Sequence, residues 1–175
     1  MTRYVALLRG VNVGGIRMKM ADVRKLFEDI GFTAVKTILA SGNVVFETDR
    51  SDRSALKADI EGALTERFGY EAWIVLHDTD TVRSIVESYP FDPERDGWHP
   101  YVVFTSDADI GTELRDLADT LDPEVERVAA GDGVVYWEVE RGQTLLSAFG
   151  KASGKKGYKS TTTTRNLRTL QKIIA

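Results

Sequence analysis

Tyr4-Val5-Ala6-Leu7-Leu8 is an unbroken apolar run between Arg3 and Arg9, and it predicts a strand buried on both faces. After a glycine-rich loop, Val23, Leu26, Phe27 and Ile30 recur at i, i+3, i+4, i+7, one face of a helix that Gly31 ends. Residues 34–40 and 44–47 are strand-like and are joined by Ser41-Gly42-Asn43, which predicts a hairpin. Leu56, Ile60, Ala63, Leu64 and Phe68 outline a second helix closed by Gly69, and Ala72–Leu76 reads as a fourth strand. The order β-α-β-β-α-β is that of a split βαβ, ferredoxin-like unit.

The pattern nearly repeats, although the residues do not. Val82, Ile85, Val86 and Tyr89 predict a short connecting helix, and residues 90–100, with three of the chain's four prolines, predict a loop. A strand over 101–104 follows, then a helix through Ile110, Leu114, Leu117 and Leu121. Strands near 124–129 and 134–139 turn through Ala130-Gly131-Asp132-Gly133. A helix through Leu145, Leu146 and Phe149, a β-prone stretch over 158–163 and a last helix with Leu167, Leu170, Ile173 and Ile174 on one face complete the chain. The expected architecture is α+β: two tandem ferredoxin-like (β-α-β-β-α-β) units with a C-terminal helix. The first unit is expected over 1–77, the connecting helix and loop over 78–100, and the second unit with its basic tail over 101–175.

Charge divides the chain unevenly. Residues 1–77 hold 11 basic and 10 acidic side chains, residues 78–150 hold 5 and 17, and residues 151–175 hold 7 and none. The basic tail either lies against the acidic middle of its own chain or meets phosphate or nucleic acid. With 42% hydrophobic and 29% charged residues the composition is globular, and the absence of cysteine excludes disulfides and thiolate chemistry. No apolar run approaches the roughly 20 residues of a membrane span, and the N-terminal run is too short for a signal-peptide core. A cytoplasmic location is expected, with no membrane partner.

In a split βαβ unit the first two strands run parallel, so both their C-terminal ends open on one sheet edge. Here those ends are the Arg9-Gly10-Val11-Asn12-Val13-Gly14-Gly15 loop and the Ser41-Gly42-Asn43 hairpin, with the first helix beginning near Lys19. Gly10, Gly14 and Gly15 permit converging backbone N–H groups, and the helix terminus adds partial positive charge. Arg9 suits paired hydrogen bonds to phosphate or carboxylate, Lys19 acts as a point charge, and Asn12, Ser41 and Asn43 suit hydroxyl or amide groups. The plainer alternative is a tight strand-to-helix turn with asparagine caps. The corresponding loop of the second unit, Thr105-Ser106-Asp107-Ala108-Asp109, is acidic, as is its hairpin with Asp132. An anion is therefore expected only at the first edge.

The loop Arg9–Gly15, then Lys19-Met20, Ser41-Gly42-Asn43-Val44 and Thr163-Thr164-Arg165-Asn166 together resemble the bacterial "domain of unknown function 1697" family over essentially the whole chain. The resemblance implies two ferredoxin-like units and a cytoplasmic bacterial setting. It implies no activity. Family tails carry Trp after the Arg-Asn pair, whereas here Leu167 follows. A lost ligand contact or a mild core substitution would each account for the difference.

Other chemistry is sparse. Gly150–Gly157 imitates a phosphate loop, but only three residues separate Gly150 from Gly154, and Lys156 stands where Ser or Thr should be. His77 and His99 lack the partners of a zinc site, and the acidic residues of 107–126 lack calcium-loop spacing. No metal, cofactor, nucleophile or general base is identified. The β-α-β-β-α-β order also occurs in RNA-recognition domains, yet Asn43-Val44-Val45-Phe46-Glu47 has one aromatic and an acid where those domains stack bases. Trp73, Tyr101, Tyr136 and Trp137 are expected to pack within the fold or on a partner. Thr164 or a neighbouring threonine is expected to cap the last helix, leaving Arg165, Arg168 and Lys172 as a basic stripe.

Three functions follow. The first is binding of a small anionic metabolite, phosphorylated ones included, at the first unit's edge, with Arg165 and Asn166 approaching from the tail. The second is single-stranded nucleic-acid binding by Lys151, Lys155, Lys156, Lys159, Arg165 and Arg168. The third is a protein-interaction or self-association module.

Overall fold

The computed structural model describes residues 1–9, 18–38, 42–105, 108–154 and 161–175. Among these lie eight strands and six α-helices. The chain divides into two compact units, one of Met1–Val82 with Lys172–Ala175 and one of Arg83–Gln171. The class is α+β, with two four-stranded antiparallel sheets.

The first unit contains β1 (Thr2–Leu8), α1 (Met20–Asp29), β2 (Thr33–Ile38), β3 (Asn43–Thr48), α2 (Arg53–Phe68) and β4 (Ile74–Asp78), and α3 (Thr79–Glu87) begins in it. Its sheet runs β2-β3-β1-β4. The central position of β1 explains the unbroken apolar run. Tyr4, Ala6 and Leu8 join the core with Val23 and Phe27 of α1 and Leu56, Ile60 and Leu64 of α2, while Val5 and Leu7 are buried on the opposite face. Asp52 caps α2 by accepting the Ala55 N–H at 3.1 Å, and Gly69 ends it in a left-handed conformation, φ 71°.

The second unit contains β5 (Trp98–Thr105), α4 (Ala108–Asp116) with a 3-10 turn over Leu117–Thr120, β6 (Glu126–Ala130), β7 (Val134–Glu140), α5 (Ala148–Ser153), β8 (Thr162–Asn166) and the start of α6 (Leu167–Ile174). Its sheet order, β6-β7-β5-β8, reproduces that of the first. Val103, Val135, Trp137 and Val139 form its core with Leu114 and Phe149. Trp137 and Tyr136 are thus core residues, and Tyr101 packs on Trp137 at 5.1 Å between ring centroids. β5 starts earlier than the proline content suggests. Its ladder with β8 begins only at Tyr101, so the missing N–H of Pro100 is tolerated.

Two expectations are corrected here. Leu145 and Leu146 are 80% and 62% exposed and precede the helix. Ser147 sets the start instead, its hydroxyl accepting the Gly150 N–H at 3.0 Å, so the capping residue overrides the apolar spacing. Likewise no threonine caps α6, because Thr162–Arg165 are committed to β8; Asn166 Oδ1 accepts the Arg168 N–H at 2.9 Å. Leu167, Leu170 and Ile173 give α6 its buried face. No helix of the described residues is long and apolar enough to cross a membrane.

Candidate functional site

β1 and β2 both lie antiparallel to β3, so they are parallel to one another and end at the same edge. The Leu8 N–H donates to the Gly42 carbonyl at 2.8 Å, which fastens the end of β1 to the β2–β3 hairpin. The Arg9 N–H donates to the Trp73 carbonyl at 3.1 Å, tying the same end to the approach to β4. α1 runs back from this edge, and Lys19, its exposed N-cap residue, is extended and makes no side-chain cap. Chain direction and two backbone bonds therefore determine where this edge lies.

The expected site residues divide by their surroundings. Arg9 is half-buried, and loss of hydration lowers its pKa from the usual arginine value. Asn43 is fully buried, and its amide donates to the Ile38 carbonyl at 2.8 Å, so this side chain braces the hairpin. Gly10, Asn12, Gly14, Gly15 and Ser41 lie outside the described residues.

The tail residues are placed differently from the stripe expected of them. Arg165 lies in β8, not on α6, and is 6% exposed. Its Nη1 donates to Thr163 Oγ1 at 2.7 Å and to the Thr164 carbonyl at 3.2 Å, and burial pushes its pKa down to about 10. It still carries its charge at neutral pH. Asn166 is engaged in the cap of α6. Lys151, Arg168 and Lys172 are exposed, while Lys155, Lys156 and Lys159 lie outside the described residues. Gly150 has a packing reason: a Cβ there would sit 1.9 Å from the Thr144 carbonyl oxygen.

The second unit holds two buried carboxylates that composition did not reveal. Glu126 Oε1 accepts the Trp137 indole N–H at 3.0 Å, and its Oε2 accepts the Phe149 N–H at 3.1 Å. Glu138 Oε2 accepts from Arg95 at 3.0 Å and from Arg127 Nε at 2.6 Å. Arg95 stacks over Trp98 and Arg127 over Phe91, so the connecting segment is strapped to the sheet. Burial, and then the charge of Glu138, raise the pKa of Tyr89, whose hydroxyl donates to the Trp137 carbonyl at 3.2 Å. The signal available in the sequence was a glutamate inside the apolar run Val134–Val139, which calls for donors opposite it. No group of three or more metal-ligating side chains occurs among the described residues.

The fold is similar to that of the conserved bacterial protein SP0830 from Streptococcus pneumoniae. The TM-score is 0.80, at 24% identity, over 98% of this chain and 96% of that one. Identity at this level speaks for the fold alone. A search of curated proteins gives no match. Leu167, where the family resemblance leads one to expect tryptophan, is buried, as a core position would be. The family described as "Protein of unknown function (DUF1697)" matches residues 1–136, well over half of the sequence, and the chain belongs to that family.

Proposed function

We propose that the protein binds a small anionic, phosphorylated ligand at the loop edge of its first unit, and that each unit has the ferredoxin-like form. The strand orders β2-β3-β1-β4 and β6-β7-β5-β8, with the first two strands of each unit parallel across a third, support the form. The observation that carries the binding reading is the Leu8 N–H bond to the Gly42 carbonyl, which joins the end of β1 to the hairpin. Arg9 follows directly on β1, and Lys19 opens α1. A half-desolvated guanidinium binds an anion more strongly than a fully hydrated one, because the competing water is already partly removed. The sequence between them holds Gly10, Gly14 and Gly15, a composition shared with loops whose backbone N–H groups bind phosphate.

The test is thermal stabilisation of the full chain by inorganic phosphate and a panel of phosphorylated metabolites. Saturating ligand at about 100 times Kd raises stability by about 2.7 kcal/mol, a shift of several degrees in Tm. Arg9→Ala/Lys19→Ala should abolish that shift while leaving the unliganded Tm within about 2 °C, since both side chains are at least partly exposed. A panel that leaves Tm unchanged, or a double variant that responds like the parent, refutes the reading.

A further inference from the structure

We propose that the second unit carries a small-molecule pocket of its own, fitted to a short aliphatic carboxylate and separate from the first unit's edge. A cavity of about 180 Å³ opens between the end of β5, the flank of α4 and the β6–β7 hairpin. Thr105, Thr112 and Arg115 give it polar walls, and Ala130, Gly131 and Val134 line the hairpin side. The helix contributes its side at positions one turn apart, not its terminal N–H groups.

Two of the lining residues are glycines that packing within the unit requires. A Cβ at Gly131 would lie 2.5 Å from the Tyr136 ring and 2.7 Å from Val134 Cγ2. Gly111 acts similarly on the helix side, where a Cβ would meet Thr105 Cγ2 at 3.2 Å.

Charge narrows the ligand. Arg115 is the cation on the cavity, and its guanidinium pairs with the neighbouring Asp116 at 3.2 Å, with both side chains about half exposed or more. An exposed pair of this kind is worth little, so a ligand carboxylate can take its place. Asp109, Glu113 and Asp116 of α4 and Asp132 of the hairpin, all exposed, are near neighbours in sequence of these lining residues, and Arg115 is the one basic residue in the described lining. The acidic character that makes the edge hostile to a phosphate dianion still admits one carboxylate at Arg115. The methyl groups of Ala130 and Val134 suit a short branched chain beside that carboxylate. The cavity is smaller than sites for drug-sized ligands, which run from about 300 Å³, and fits a body of roughly six to eight non-hydrogen atoms.

The experiment is an amide NMR titration of the full chain with isovalerate, its neutral isostere isovaleramide, and inorganic phosphate. Isovalerate should shift the amides of Gly111, Thr112, Gly131 and Gly133 saturably, with Kd on the order of 1 mM for so small a ligand. Isovaleramide should bind about tenfold more weakly, for want of the charge-assisted bond. Arg115→Met, an exposed change that leaves the rest of the spectrum in place, should lose the isovalerate response, and Thr112→Leu should lose it by filling the cavity. The proposal is overturned if isovalerate produces no saturable shift at these amides, if either variant binds it as the parent does, or if phosphate moves the same amides as strongly.

Discussion

The two units share a strand order and fill it differently. The helix-facing side of the first sheet is built around rings: Phe46 stacks on Phe32 at 4.4 Å, lies 5.8 Å from Tyr4 and meets Phe27 edge-on at 5.4 Å. The second sheet places Glu126 and Glu138 among its buried residues; an indole and a backbone amide serve both oxygens of Glu126, and two guanidinium groups serve Oε2 of Glu138, whose Oε1 is buried without a hydrogen bond among the described residues. One topology is thus held by dispersion and ring geometry in the first case, and partly by directional bonds in the second. Burying a carboxylate is tolerable only with such partners, so the second unit has less freedom to change single residues at these positions.

That contrast can be broken by mutation. Phe46→Ala removes the ring on which three others pack and should cost about 3–5 kcal/mol in chemical denaturation, the largest single effect expected. Glu126→Gln keeps the shape but leaves either the Trp137 indole or the Phe149 amide facing an NH₂ group. The expected loss is about 1–3 kcal/mol, with a changed Trp137 emission. A larger loss for Glu126→Gln than for Phe46→Ala would reverse the comparison.

Ala34 sharpens it at smaller scale. It has φ 50°, beside a register irregularity between Thr33 and Lys36 on edge strand β2. A left-handed alanine is strained, so Ala34→Gly should stabilise the protein by about 0.5 kcal/mol once the extra freedom of the unfolded glycine is counted. The smallest effect belongs to Asp78, whose carboxylate accepts the Thr81 N–H at 2.7 Å. Burial acts to raise its pKa, but the Thr81 bonds and the charges of His77 and Arg53 together bring it below the ordinary 3.8. Its contribution is therefore present at neutral pH and lost as pH falls through the folded-state value, below 3.8. Asp78→Asn should flatten the acid limb of the stability–pH curve in that range.

Much of the framework was legible because one force dominated each element. The apolar run Tyr4–Leu8 admits only a central strand, and Gly31 and Gly69 mark helix ends where positive φ is needed, 102° and 71°. Legibility failed where two signals competed. The spacing of Leu145, Leu146 and Phe149 suggested a helix face, but the Ser147 cap begins the helix later and leaves both leucines in water. Arg165 was grouped with Arg168 and Lys172 by i, i+3, i+7 spacing, yet the Asn166 cap puts a strand on one side and a helix on the other. Within the candidate site, the meeting of β1 with the hairpin followed from chain direction alone, whereas the bracing role of Asn43 did not, since an asparagine in a turn reads equally as a ligand donor.

The claim on which the functional account rests is that the first unit's edge, unlike the second's, attracts phosphate. Amide NMR of the full chain titrated with inorganic phosphate tests it directly. Saturable shifts at Leu8, Arg9, Gly42 and Met20, with Gly111 and Gly131 unmoved, are the predicted result. Phosphate shifts that fall on the second unit instead, or on neither edge, would contradict it.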